Sequence, residues 1–107
     1  MNLHPEPFEK IKNGLKDIEM RLNDDRRKNI LIGDQISFTN IQTSEQIIVQ
    51  VINLYRFNNF GELYEYFDKK RLGYSDEEVA NPQDMEKYYS KELIERYGAL
   101  AIEIKLL

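Results

Sequence analysis

Lys16, Glu19 and Arg21 are the residues of this chain whose types and spacing could do chemistry. An arginine offers a planar fork of donors that matches a phosphate or a carboxylate. A lysine offers a point charge whose pKa falls when it is buried beside another cation. Glu19 would hold Arg21 in place, or would activate a water as a general base. Residues 17–22 alternate between polar and apolar, so a strand puts Ile18, Met20 and Leu22 on one face and Asp17, Glu19 and Arg21 on the other. Lys16 has the parity of the apolar face, but it follows Gly14, where the chain leaves a helix and alternation need not yet hold. Its direction is therefore open. The same charges would equally make a salt-bridged strand at a barrel edge that binds nothing.

The elements around these residues must position them. His4-Pro5 begins a short helix over residues 5–13, with Phe8, Ile11 and Leu15 on one side and Asn13-Gly14 closing it. After the strand come the polar residues 23–28, in which Arg26, Arg27 and Lys28 form the densest basic cluster, either a solvated turn or a contact for phosphates. Ile30 to Ile32 lead into a Gly33-Asp34 turn, and residues 36–39 alternate as a half-buried strand. Residues 46–55 form a longer strand in which Ile47, Val49 and Val51 oppose Ile48, Ile52 and Leu54, so both faces are expected to be covered, as in the central strand of a small closed barrel. Thr43-Ser44-Glu45 is the hairpin turn into it.

From Asn59 the period becomes helical. Asn59 caps, Glu62 stands three residues later, and Phe60, Leu63, Tyr64 and Phe67 make an apolar side that runs until Gly73. Ser75 with Glu78, Asn81 with Pro82, and Ser90 are three more helix starts, the last running to Tyr97. Residues 99–107 then alternate as a C-terminal strand, with Leu100, Ile102, Ile104 and Leu106 opposite Ala101, Glu103 and Lys105.

Composition narrows the function classes. A chain of 107 residues with 41% hydrophobic residues is the length of one domain with a small core. It has no cysteine, no apolar run near the ~20 residues of a membrane span and no apolar segment after Met1 resembling a signal peptide, so a cytoplasmic, disulfide-free protein without a membrane partner is expected. The net charge of -4 excludes a broad basic footprint, so contact with nucleic acid must be local and nothing indicates DNA. His4 is the only histidine, which rules out a multi-histidine metal site or a Ser-His-Asp arrangement. No Gly-rich phosphate loop is present, and neither metal nor cofactor chemistry is indicated.

The spacing of Gly14, Lys16, Glu19 and Arg21, Gly-x-Lys-x-x-Glu-x-Arg, resembles the signature of the ASCH domain family, one of the PUA-like pseudobarrel proteins. The preceding helix Pro5-Glu6-Pro7-Phe8-Glu9-Lys10-Ile11, the Gly33-Asp34 opening of the next strand and Tyr97-Gly98 before the last strand extend the resemblance over nearly the whole chain. It implies a single ASCH domain of the small bacterial or archaeal type spanning residues 1–107. Its fold would be α+β, a β-pseudobarrel of about five or six strands with helices packed outside and over the mouth. The resemblance also implies a cleft in which Gly14, Lys16, Glu19 and Arg21 hold RNA or a modified nucleoside.

One branch of the family consists of amidohydrolases that remove the acetyl group from acetylated cytidine with a Lys, a Thr three residues later and a Glu nearer the C-terminus. Lys16 matches the Lys, but the Thr position is Glu19. Attack on an amide by a carboxylate would form an anhydride, so Glu19 is not a simple replacement. Glu86, eleven residues before Tyr97, is the better match for the third residue and Glu92 the weaker one. A hydrolase would then use Lys16 and Glu86 as its acid–base pair, or a water activated by Glu19 or Glu86 and positioned by Lys16. A nuclease-type RNA-processing enzyme and a plain interaction domain are the further readings.

Overall fold

The apolar alternations become five strands, set out in a computed structural model that describes residues 1–107. In chain order the elements are β1 (Asn2–Leu3), α1 (Pro5–Lys12), β2 (Ile18–Leu22), β3 (Gln35–Asn40), β4 (Gln46–Phe57), α2 (Phe60–Tyr66), a 3-10 helix (Pro82–Lys87), α3 (Lys91–Tyr97) and β5 (Ala99–Leu106). The strands form one sheet in the order β1-β3-β4-β5-β2, parallel only between β1 and β3. The sheet curls into a half-barrel, giving the α+β pseudobarrel that the order of elements predicts. β1 is too short to leave a periodic signal, and it is the one strand the alternation does not reveal.

β4 is central, pairing with β3 on one side and β5 on the other. Val51 lies opposite Ile104 and Asn53 opposite Glu103, so Ile52 is an extra residue in β4, a β-bulge. The bulge inverts the parity of everything after it. Val49, Val51 and then Leu54 face the inside of the curl, whereas Tyr55 and Phe57 turn to the outside. The inner core gathers Val49, Val51, Phe38, Leu100, Ile102 and Ile104 from the sheet and Phe8 and Ile11 from α1. A second core lies outside, where Phe60, Leu63 and Phe67 cover Ile18, Ala99 and Ala101.

The expectation that both faces of β4 are covered holds only for its C-terminal part. Ile48 and Ile52 are 48% and 45% exposed, because α2 and the 3-10 helix lie over the other end of the sheet. β5 is the doubly covered strand, with Leu100 and Ile102 turned to the inner core and Ala99 and Ala101 to the outer one. The small alanines let α2 approach closely, a consequence of size that periodicity does not register.

The helix starts at Asn59, Asn81 and Ser90 are all used, each side chain accepting a backbone N–H of the first turn. α2 nevertheless stops at Tyr66 rather than near Gly73, since Phe67 is extended and Asp68 caps a fresh turn by accepting Lys70 N at 3.0 Å. Ser75 and Glu78 meet, with Ser75 N donating to Glu78 Oε1 at 2.9 Å, but no helix follows. The Lys69 ammonium takes the carbonyls of Asp76 and Glu78 instead, at 3.0 and 2.6 Å. No helix is long and apolar enough to cross a membrane.

Candidate functional site

α1 delivers the chain to the site through a tight stop. Leu15 N donates to Lys10 O and Gly14 N to Ile11 O, at 2.8 and 3.1 Å, a Schellman arrangement that needs the positive φ of Gly14 (78°). Gly14 itself is exposed and is not among the residues that line the seam cleft formed with β2. Its effect is on direction: the turn sends Lys16 back under the sheet, against its strand parity, to become 5% exposed.

β2 is an edge strand, and Glu19 and Arg21 stand opposite Ile102 and Leu100, on the inner face. β1, at the other edge, meets them across the open seam of the half-barrel, where Arg21 Nη2 donates to Asn2 O at 3.1 Å. In this seam lies a cleft of about 340 Å³. Its floor holds Lys16, Glu19 and Arg21, with Lys10 at its side and Tyr64, Tyr74 and Asp84 lining it as well.

The floor is a linked set of charges. Arg21 Nε donates to Glu19 Oε2 at 2.9 Å and Nη2 lies 2.8 Å from the same oxygen, while Lys16 Nζ is 3.5 Å from Glu19 Oε1. Lys16 also donates to Leu72 O at 3.0 Å, so residues 56 apart in the chain meet at its ammonium. Burial holds the Lys16 amine below its ordinary pKa; Arg21 and Lys10 push the same way and Glu19 opposes them. Gly73 packs on the Lys16 stem, where an added Cβ would stand 3.1 Å from Lys16 Cδ, and its carbonyl accepts from Lys10. Such a floor can bind an anion or a carbonyl: the ammonium has a third N–H beyond Leu72 O and Glu19, and the guanidinium keeps Nη1 beyond its two protein acceptors.

Of the other candidate residues, Asp17 departs from Glu19 and Arg21. It precedes β2 and pairs instead with Arg71 at 2.9 Å, and Arg71 reaches Glu103 at 3.0 Å on the outer face. Glu86 is not among the residues lining the cleft; its carboxylate is 3.9 Å from Lys91. Glu92 is likewise outside, exposed in the first turn of α3. Asp84, two residues before Glu86, is the carboxylate that the 3-10 helix presents to the cleft, and Tyr74 Oη donates to it at 2.8 Å. Within the basic cluster 26–28, Arg27 pairs with Asp24 at 2.6 Å and Lys28 with Asp25 at 3.5 Å, so the preceding acidic pair absorbs two of its charges.

Lys10, Gly73, Tyr64, Tyr74 and Asp84 are cleft residues that spacing does not reveal. Tyr64 reads as part of the apolar side of α2, and it does pack against the outer core while also lining the cleft. Two residues of separation put Asp84 and Glu86 on different sides of the turn, but which side meets the cleft is decided by packing between distant segments. No group of three or more His, Asp or Glu side chains is placed to hold a metal ion.

A curled five-stranded sheet with a charged, partly buried seam places this molecule among the PUA-like pseudobarrels. The chain belongs to the ASCH domain family, whose domain model matches residues 1–107. The crystal structure of the hypothetical protein PH0355 superposes with a TM-score of 0.84 at 30% identity, covering 100% of this chain and 96% of that one. The solution structure of PF0455 from Pyrococcus furiosus gives 0.69 at 32% identity, covering 100% and 98%. An ASCH domain from Lactobacillus crispatus gives 0.63 at 16% identity, covering 92% of this chain and 68% of that one, a likeness of fold alone. Among curated proteins, none matches the chain.

Proposed function

We propose that this ASCH domain binds RNA, or a modified nucleoside derived from it, in the cleft at the seam of the half-barrel. The observation that carries this reading is the linked Lys16–Glu19–Arg21 floor in a cavity of about 340 Å³, a volume suited to a nucleoside rather than to a long duplex. Glu19 orients Arg21, whose fork suits a phosphate or a base carbonyl, and Lys16 adds a fixed positive charge. The tyrosines of the wall offer ring surface to a base. The ASCH family is generally thought to bind RNA, which supports the same reading. A thermal-shift panel of nucleosides, nucleotides and short RNAs tests it. A ligand at 100 times its dissociation constant stabilises the fold by about 2.7 kcal/mol, and Arg21→Ala should abolish that gain. A panel without any shift would remove the proposal.

A second reading, an amidohydrolase acting on acetylated cytidine or a related nucleoside, is favoured by the lowered pKa of Lys16, which brings a neutral amine nearer to working pH. Against it stand the missing hydroxyl at position 19, the outward Glu86 and the engagement of both Glu19 oxygens, Oε1 by Met20 N at 3.3 Å and Oε2 by Arg21. Deacetylation of acetylcytidine is therefore expected to be slow or absent. Glu19→Thr should raise it if the cleft has the geometry of that branch. Nuclease-type processing would show as chain cleavage when the short RNAs of the panel are incubated with the protein.

A further inference from the structure

The lining of the cleft contains a hydrogen-bond chain that the charged floor does not involve. Tyr74 Oη lies 2.8 Å from Asp84 Oδ2, 3.5 Å from Asn81 O and 2.8 Å from Tyr64 Oη. A phenol has one proton, and a carboxylate oxygen at the shorter distance takes it in preference to a carbonyl at the longer one. Burial, with the bond donated to Asp84, raises the Tyr74 pKa, so the ring keeps this proton to donate. Toward Tyr64 the Tyr74 oxygen is then only an acceptor, and Tyr64 must be the donor of the bond between them. Burial raises the Tyr64 pKa as well, so Tyr64 is a neutral phenol whose only proton is committed to Tyr74. Its remaining lone pairs meet no protein donor.

The chain therefore runs one way, from Tyr64 through Tyr74 to Asp84. We infer that Tyr64 is a specificity-determining residue of the cleft, an obligate acceptor that selects bases presenting an exocyclic amino group. The inference deepens the nucleoside-binding reading and rests on it. The two sides of the cleft then have opposite polarity. Lys16 and Arg21 only donate, which suits a phosphate or carbonyl at the floor, and Tyr64 only accepts, which suits an amino group at the wall. An amino-base nucleoside carries both.

Paired ligands that differ only in the amino group test this. Titration calorimetry would compare adenosine with purine riboside, and cytidine with its 4-deamino analogue, on the wild type, Tyr64→Phe and Tyr74→Phe. The wild type should bind the amino member of at least one pair about 3- to 10-fold more tightly, the worth of one hydrogen bond. Tyr64→Phe keeps the ring and should bring that ratio to about 1. Tyr74→Phe keeps the Tyr64 hydroxyl but frees its proton to point outward, so it should narrow the ratio as well; a tyrosine with a merely structural role would weaken both members equally. Should Tyr64→Phe fail to fold by circular dichroism, Tyr74→Phe alone decides. Retention of the wild-type ratio in a folded variant, or a ratio of about 1 in a wild type that binds both pairs, overturns the inference and leaves the binding reading intact. A wild type that binds none of the four removes the inference, and the binding reading falls with it only if the nucleotides and short RNAs of the wider panel also give no shift.

Discussion

Lys16 is the residue at which burial and charge conflict most, being 5% exposed with an amine held below its ordinary pKa of 10.5 chiefly by desolvation. A lysine whose folded pKa lies below its unfolded value binds fewer protons in the native state than in the unfolded one. It therefore disfavours folding at neutral pH, and the penalty fades as pH rises through the folded value toward 10.5. Lys16→Met keeps most of the stem and removes the titration. Denaturant unfolding of both proteins at about pH 7 and about pH 10 should show the wild type gaining on the variant as pH rises. A flat or falling difference would mean that the amine is not desolvated as described. Arg21 makes a separate prediction, since its loss strips a buried carboxylate of its closest partner and leaves Lys16 at 3.5 Å. Arg21→Ala should cost roughly 2–3 kcal/mol in unfolding free energy, and exposed Arg26→Ala within about 0.5 kcal/mol. Equal costs would count against the linked floor.

The elements position these residues through two devices, the Schellman stop of α1 and the close approach of α2 to β5. The first reverses the chain so that Lys16 enters the seam. The second depends on Ala99 and Ala101, both fully buried under α2 and the residues after it. A larger side chain there has no free volume to fill, so Ala101→Leu should destabilise the protein by about 1–3 kcal/mol through overpacking. It should also weaken ligand binding, because the segment lifted away carries Leu72 and Tyr64 into the cleft. Thermal melts with and without ligand separate the two effects. A variant as stable as the wild type would show that the outer core is looser than its burial indicates.

For the whole molecule, the charge of -4 and the small number of cations that line the cleft set how binding responds to salt. Carboxylates line the cleft alongside its cations, and on its floor only Lys16 and Arg21 keep a free donor, so contact with about two phosphates is expected. The logarithm of the affinity for a short single-stranded RNA should thus fall with the logarithm of salt concentration at a slope of about -1.4. Fluorescence anisotropy across a salt series measures it. A slope several times steeper would reveal a phosphate track outside the cleft.

The charged motif, its face of the strand and most helix caps were legible in the sequence because they depend on neighbours within a few residues. Glu19 and Arg21 share a face at a spacing of two, and Asn59, Asn81 and Ser90 cap the turns that begin beside them. The family resemblance, carried by Gly14, Lys16, Glu19 and Arg21, extended this local reading to the α+β pseudobarrel. The direction of Lys16, the departure of Asp17 to Arg71 and the choice of Asp84 over Glu86 were not legible. Each depends on a contact between segments far apart in the chain, such as Lys16 with Leu72 or Asp17 with Arg71, separated by 56 and 54 residues. Periodicity states which side of its own element a residue occupies, but not what that side will meet. Burial and ion pairing follow from the meeting, which here came only when the sheet curled and residues 60–89 folded over its seam.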